Sequence, residues 1–186
     1  MSEAELIARA RAGDADAFGE LVELHQVSVY RAARAALRTE DEAEDVAQEA
    51  FVAAFRKLGE FRGESSFKTW LLAITWNFAR SRRRTGRQWL QRFAPQGDGA
   101  VADPPARNES HEEGLIRADL AERVRRVAMA LPKKFRDVLL LSASGDHTME
   151  EIGGILGIPT GTVKWRMSEG RRQLKARLER LGISHE

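Results

Sequence analysis

The stretch FRGESSFKTWLLAITWNFARSRRRTGR, Phe61 to Arg87, decides how the chain is read. It opens on a short polar loop, Arg62-Gly63-Glu64-Ser65-Ser66, and then takes up helical spacing. Phe67, Trp70, Leu71, Ile74 and Phe78 recur at three- and four-residue steps and predict one buried stripe. Leu72, Trp76, Arg80 and Arg83 fall on a different face, where an aromatic is followed by positive charge. From Arg80 to Arg92 there are six arginines and no acid. Rings beside a cationic track suit a single-stranded nucleic acid, because bases stack on rings while arginine meets phosphate. The same residues are equally compatible with a packed core and a solvated helix end that complements the macrodipole.

Working outward, the 186 residues suffice for one or two small domains. The composition is 42% hydrophobic and 31% charged, which predicts a soluble, core-forming protein with no membrane insertion. MSEAELIARARAGD at the N-terminus lacks a signal-peptide core, so a cytoplasmic location is expected. With no cysteine there is neither a disulfide nor a thiolate zinc site. The net charge is only +2, but its sign is uneven: acids gather at 40–49, bases at 80–92 and 164–180. That asymmetry predicts separate surfaces for an anionic partner and for a basic or polar one.

N-terminal to the stretch, Ser2-x-x-Glu5 and Thr39-x-x-Glu42 read as capping boxes that start helices. A helix from about Asp14 to Leu37 lies between them, with Phe18, Leu21, Val22, Val29 and Ala33 inward. The helix after Thr39 buries Val46, Ala50, Phe51, Ala54, Phe55 and Leu58. Its polar face carries Asp45, Gln48 and Glu49 too deep in the helix for the dipole alone to explain them. Such a face can dock a basic partner helix. A helical bundle is therefore expected over 1–93. Residues 94–114 hold three of the five prolines and little apolar surface, and read as a flexible linker.

A second helical domain is expected over 115–186. Ile116, Leu120, Val124, Val127 and Leu131 form one stripe, ended by Pro132; Phe135, Val138, Leu139 and Leu141 form the next. Thr148-x-x-Glu151 opens a short helix that Gly157 closes as a left-handed cap. The last helix points Val163, Met167, Gly170, Leu174 and Leu178 inward, and Lys164, Trp165, Ser168, Arg171, Arg172 and Lys175 outward. Helix, glycine turn and basic helix make a helix-turn-helix. Lys164, Trp165, Ser168 and Glu169 would face base edges, and Arg171, Arg172 and Lys175 would face phosphates. No nucleotide-binding, hydrolase or metalloprotease motif occurs, the four histidines lack metal spacing, and no carboxylate sits in an apolar run that would raise its pKa. Neither enzyme activity nor a cofactor is expected.

With these residues in view, the chain resembles an extracytoplasmic-function sigma factor of the sigma-70 family. The resemblance rests on DEAEDVAQEAFVAAFRKLGEF (41–61), FRGESSFKTWL (61–71) and GTVKWR (161–166). It implies an all-α fold of two small helical domains, sigma domain two and sigma domain four, joined by a linker in place of the intermediate domain. It further implies that Asp45, Gln48, Glu49 and Arg56 bind core RNA polymerase. The loop Arg62, Gly63, Glu64, Ser65 and Ser66 would hold a flipped base of the minus-ten element. Asn77 would line that pocket or touch the non-template strand, with Trp76, Arg80, Arg83 and Arg84 beside it. Trp70, on the core stripe, would be structural. Lys164, Trp165, Ser168, Glu169, Arg171, Arg172 and Lys175 would read the minus-thirty-five element. Trp165 and Glu169 depart from the small Ser and the Arg of many relatives; an acid at 169 could accept from a cytosine amino group. The partners implied are core polymerase, promoter DNA and an anti-sigma factor, which could hold the chain near the inner membrane. The free chain would be monomeric and would act in transcription initiation, for instance in a stress response. A stand-alone helix-turn-helix regulator is the competing expectation, and it gives no role to the acidic face or to FRGESSFKTW.

Overall fold

In a computed structural model, residues 2–93, 112–145 and 147–183 are described, and among them every regular element is helical. The expected linker falls largely outside these residues. Its last three positions, 112–114, belong instead to a helix.

The first set is α1 (Glu3–Arg11), α2 (Ala15–Ala36), α3 (Glu40–Lys57) and α4 (Phe67–Phe93), with a short 3-10 turn at Leu58–Glu60. Ser2 and Glu5 form the reciprocal capping box that starts α1. At α3 only half of the expected box forms: Thr39 Oγ1 accepts from Glu42 N at 3.2 Å, and the return bond from Glu42 is not made. Ser66 Oγ accepts from Thr69 N at 3.1 Å and so serves the start of α4. His25 Nε2 lies 2.7 Å from Glu3 Oε1, and its ring stands 5.5 Å from that of Phe67. Leu21, Val29, Val46, Ala50, Leu58, Phe67 and Leu71 are buried at the centre of the set. Phe55, expected inside, is 45% exposed; one ring edge meets Phe18 at 4.9 Å while the rest faces outward.

The second set is α5 (Glu112–Met129), α6 (Lys133–Ser144), α7 (Met149–Leu156) and α8 (Thr160–Arg180). The Thr148–Glu151 box is complete, and Gly157 at φ 65° caps α7 as its sequence position demands. The α7–α8 turn is tight. A Cβ on Gly153 would stand 2.8 Å from the Ile158 carbonyl oxygen, which belongs to rigid backbone. Val163, Met167 and Gly170 of α8 face inward, and Gly170 lets α8 approach Leu139 and Phe135 of α6.

The two sets do not stand apart. α6 lies against α2, and α7 lies against α4. One apolar cluster includes Leu72 and Trp76 from α4 together with Val138 and Leu141 from α6 and Ile152 from α7. Gly154 of α7 is tight against Thr69 of α4, where an added Cβ would come within 2.7 Å of Cγ2. Arg125 of α5 donates to the Leu37 carbonyl at the end of α2.

Gly153→Ala is expected to cost about 1–3 kcal/mol, because the new methyl group meets backbone that cannot yield. Chemical denaturation followed by circular dichroism measures it, and unchanged stability would contradict the tight-turn account.

Candidate nucleic-acid interface

α4 presents Thr69, Leu72, Trp76, Arg80 and Arg83 along one face. The expected aromatic–arginine track is therefore real as a face, but the second helical set covers it. Trp76 is fully buried, whereas Trp70 is only partly so, clustered with Phe61 and Phe67 at centroid distances of 5.2 and 5.7 Å. This corrects the sequence reading, which had Trp76 open to DNA. The reason is tertiary. Thr69, at one end of the face, meets α7, and Arg80 and Arg83, at the other, meet α6, so Trp76 lies between two contact points. Its Nε1 is buried without a hydrogen-bond partner.

The contact at the arginine end is ionic. Asp137, 4% exposed on α6, takes Arg83 Nη2 on Oδ1 at 3.1 Å and Arg80 Nε near Oδ2 at 3.6 Å. The neighbouring Arg136, itself 7% exposed, approaches Oδ1 at 3.4 Å and anchors its other end on the Met129 carbonyl at 3.2 Å. Burial, and next the nearby Arg136 charge, lower the Arg83 pKa, against the opposing pull of Asp137. Asp137 escaped the sequence reading, which held that no carboxylate lies in an apolar run. Asp137 leads directly into Val138-Leu139-Leu140-Leu141, and that was the available signal. Asn77 and Arg84 are exposed beside the cluster.

The loop from Arg62 to Ser66 is exposed throughout, and Gly63 supplies its turn at φ 74°. Ser65 and Ser66 have structural work as well: Ser65 Oγ donates to the Ser66 carbonyl, and Ser66 Oγ caps α4.

On the opposite side of α4, a groove brings together Asp45, Gln48, Glu49 and Arg56, all four residues expected at the polymerase surface. Val52, 51% exposed, and Phe78 add an apolar floor that the charged pattern concealed. Arg82, counted by sequence within the arginine track, turns the other way and pairs with Asp45 at 3.5 Å and with Glu49.

On α8, Lys164, Trp165, Ser168, Arg171, Arg172 and Lys175 are all exposed, as the helix-turn-helix spacing predicts. Trp165, 56% exposed, rests one side on Phe135 at 5.7 Å, with Lys134 Nζ over both rings. Glu169 is not a free acceptor for a base. It receives Arg172 Nε at 2.8 Å and Nη2 at 2.7 Å, and Gln173 Nε2 at 2.8 Å. Those bonds, the Arg172 pair first, pull its pKa down to about 2. Arg172 is correspondingly committed to Glu169, although its side chain remains 71% exposed.

Among the described residues no helix is long and apolar enough to cross a membrane. Residues 21–89 match the model for Sigma-70 region 2, and residues 129–176 match that for Sigma-70 region 4. The chain is 31% identical to the ECF RNA polymerase sigma factor SigW of Bacillus subtilis, over 94% of this chain and 96% of SigW. It is 34% identical to the RNA polymerase sigma factor CnrH of Cupriavidus metallidurans, over 94% of this chain and 93% of CnrH. The solved structure of CnrH in complex with the cytosolic domain of CnrY aligns with a TM-score of 0.67 at 30% identity, covering 94% of this chain and 95% of that one. The sigma factor RpoE of Bartonella quintana, solved with the anti-sigma factor NepR, shares the fold at a TM-score of 0.63 and 24% identity, over 87% of this chain and 96% of RpoE.

Two outcomes follow from this geometry. Asp137→Ala leaves Arg80, Arg83 and Arg136 without their shared counter-charge, a loss of about 3–5 kcal/mol if the contact stays shut. The helical sets are therefore expected to separate, raising the radius of gyration in solution scattering while helicity is kept; an unchanged radius would contradict this. The Glu169 carboxyl is expected to titrate near 2 rather than near the ordinary glutamate value of 4.5. A depressed acid stabilises the folded state above its unfolded pKa and loses that contribution as pH falls through the folded one. Its effect is thus complete above about pH 4.5 and fades toward pH 2, and a carbon-detected NMR midpoint near 4.5 would contradict the pairing.

Proposed function

Since the chain belongs to the sigma-70 family, as a sigma factor of the extracytoplasmic-function group, we propose the following division of labour among its surfaces. The chain binds core RNA polymerase, directs it to promoters and helps to melt the DNA; polymerase carries the catalysis. The observation that supports this most strongly is the placement of two unlike surfaces on one chain. A groove of mixed charge with an apolar floor, its acids Asp45 and Glu49 beside Arg56 and Lys57, sits on the first helical set, and a basic, aromatic-bearing recognition helix sits on the second. A stand-alone helix-turn-helix regulator gives the groove no partner.

In this reading, residues up to Phe93 form sigma domain two and residues from Glu112 form sigma domain four. Asp45, Gln48, Glu49 and Arg56 receive a basic helix of the polymerase, with Val52 burying against it. Arg82, which pairs with Asp45 and Glu49 in the free chain, stands in for part of that partner. The exposed loop Arg62 to Ser66 takes an extruded minus-ten base; Asn77, Arg80, Arg83 and Arg84 follow the displaced strand. Capture of unpaired bases favours strand separation because it binds the open state better than the paired one. Flipping costs a few kcal/mol, and stacking returns about 1–3 kcal/mol per base. Lys164, Trp165 and Ser168 reach the minus-thirty-five major groove, where the exposed Trp165 edge suits a thymine methyl group. Arg171 and Lys175 meet phosphates. Glu169 orients Arg172 through its two bonds and so acts on DNA through that guanidinium.

The covered α4 face adds a condition. Arg80 and Arg83 are engaged by Asp137, so the two domains must part before these residues reach DNA. A regulator that holds the domains together therefore silences the chain. An anti-sigma factor fits that role, and the relative CnrH is solved in complex with the cytosolic domain of CnrY. The chain acts where core polymerase does, in the cytoplasm.

Co-elution with core RNA polymerase on a sizing column, followed by run-off transcription, tests the function. Stoichiometric co-elution with promoter-dependent transcripts is expected. Asp45→Arg is expected to abolish co-elution while leaving the circular dichroism spectrum unchanged; an Asp45→Arg chain that still co-elutes would overturn the groove assignment.

A further inference from the structure

Between the two helical sets lies a cavity of about 790 Å³ whose wall is unusually cationic. Arg80, Arg83 and Arg84 enter it from α4, and Lys133, Arg136 and Arg177 enter it from α6 and α8. Among the described residues no carboxylate lines it. Asp137 pairs with Arg80, Arg83 and Arg136, so among the described residues one acid stands against six cations. Such an imbalance in a partly desolvated site is costly, and three further observations locate where an anion would relieve it. Arg83 Nη1 is buried with no hydrogen-bond partner. Burial and the adjacent Arg136 lower the Arg83 pKa, so its charge is under-compensated where it stands. The N-terminus of α6 opens here too: Pro132 and Lys133 line the cavity, and no side chain caps the helix. Uncapped amides at a helix start favour negative charge. Arg177 reaches the same wall by donating to the Ala130 carbonyl at 2.8 Å, which holds its guanidinium in place.

We propose that this cavity binds a small phosphate-bearing anion of the di- or triphosphate class, bridging the α4 arginines to Lys133 and Arg177. Its volume falls within the several hundred Å³ usual for small-molecule sites, and guanidinium groups pair with phosphate oxygens two bonds at a time. Six cations exceed what one monophosphate neutralises and match a chain of two or three. The bound anion would occupy Arg80, Arg83 and Arg84, the side chains the DNA reading needs, and would join the two domains through them. Filling the site therefore favours the closed chain by its differential affinity for that state. The binding site stands on the cavity alone; its effect on promoters rests on the sigma-factor reading.

The test is calorimetric titration of the full chain at about 0.15 M salt, where exposed charges are screened. Sodium tripolyphosphate is the probe in one arm and ATP in a second. Saturable one-to-one binding of tripolyphosphate is expected, weakened about tenfold or more in Lys133→Ala and in Arg177→Ala, since each removes a charge-assisted contact. Arg180→Ala, which deletes an equal charge outside the cavity, should bind as the parent does. Tighter binding of ATP than of tripolyphosphate would assign the site to a nucleotide, and the reverse to an inorganic polyphosphate; either outcome supports it. Absence of saturable heat, or equal losses in all three variants, would overturn the proposal. So would binding of a single-stranded oligonucleotide, but not of tripolyphosphate, through Lys133 and Arg177. Transcription measured without any added phosphate ligand tests the sigma reading separately, so the two cannot fail unseen together.

Discussion

The Asp137 carboxylate is the constraint on which the rest of this structure depends. It is buried on α6, and two of its three arginine partners belong to a helix of the other domain. A buried acid that meets arginines across a domain boundary makes the boundary conditional: the charges are compensated only while the domains touch. The apolar contacts around it are arranged to match. Gly154 admits Thr69 closely, and Leu72 and Trp76 join the core of the second set. The face of α4 that carries positive charge is thus also the face that holds the molecule together.

The closed arrangement also carries visible costs. Trp76 Nε1 and Arg83 Nη1 are both buried without hydrogen-bond partners, and each such orphan opposes burial by about 1–3 kcal/mol. A contact with costs of this kind is poised rather than permanent. Under the proposed assignments, polymerase on the α3 groove and DNA on α8 would engage surfaces that closure leaves exposed, so first encounter would not require opening. Capture of a melted strand by Arg80 and Arg83, as proposed, would require it, because both would exchange the Asp137 carboxylate for phosphates. The exchange is chemically even, anion for anion, and this lets a modest difference in affinity move the equilibrium.

Much of this was legible in the sequence, and what escaped has a common cause. Helix starts at Ser2 and Thr148, the Gly157 cap, and the inward set Val163, Met167 and Gly170 follow from local rules and stand as read. Asp45, Gln48 and Glu49 shared one helix face, so spacing grouped them, and the family resemblance added Arg56. Periodicity also separated the two faces of α4 correctly, but it cannot say which neighbour covers a face. That is why Trp76 was expected open, whereas Trp70 packs against the core as expected. Arg82 and Glu169 failed for a related reason. Spacing showed where their charges point in a single helix, not that a carboxylate within reach already held them. Asp137 was the hardest to see, since its two partners on α4 lie more than fifty residues away.

The chain lacks cysteine, so a labelled pair can be placed without background. Glu23→Cys on α2 and Glu150→Cys on α7 are exposed positions on opposite domains. Energy transfer between dyes at these sites, read on single molecules, follows closure directly. The account predicts one short-distance population in the free chain, replaced by a longer distance in the transcribing complex with core RNA polymerase. A long distance in the free chain, or a short distance retained in a complex that is making transcripts, would contradict it.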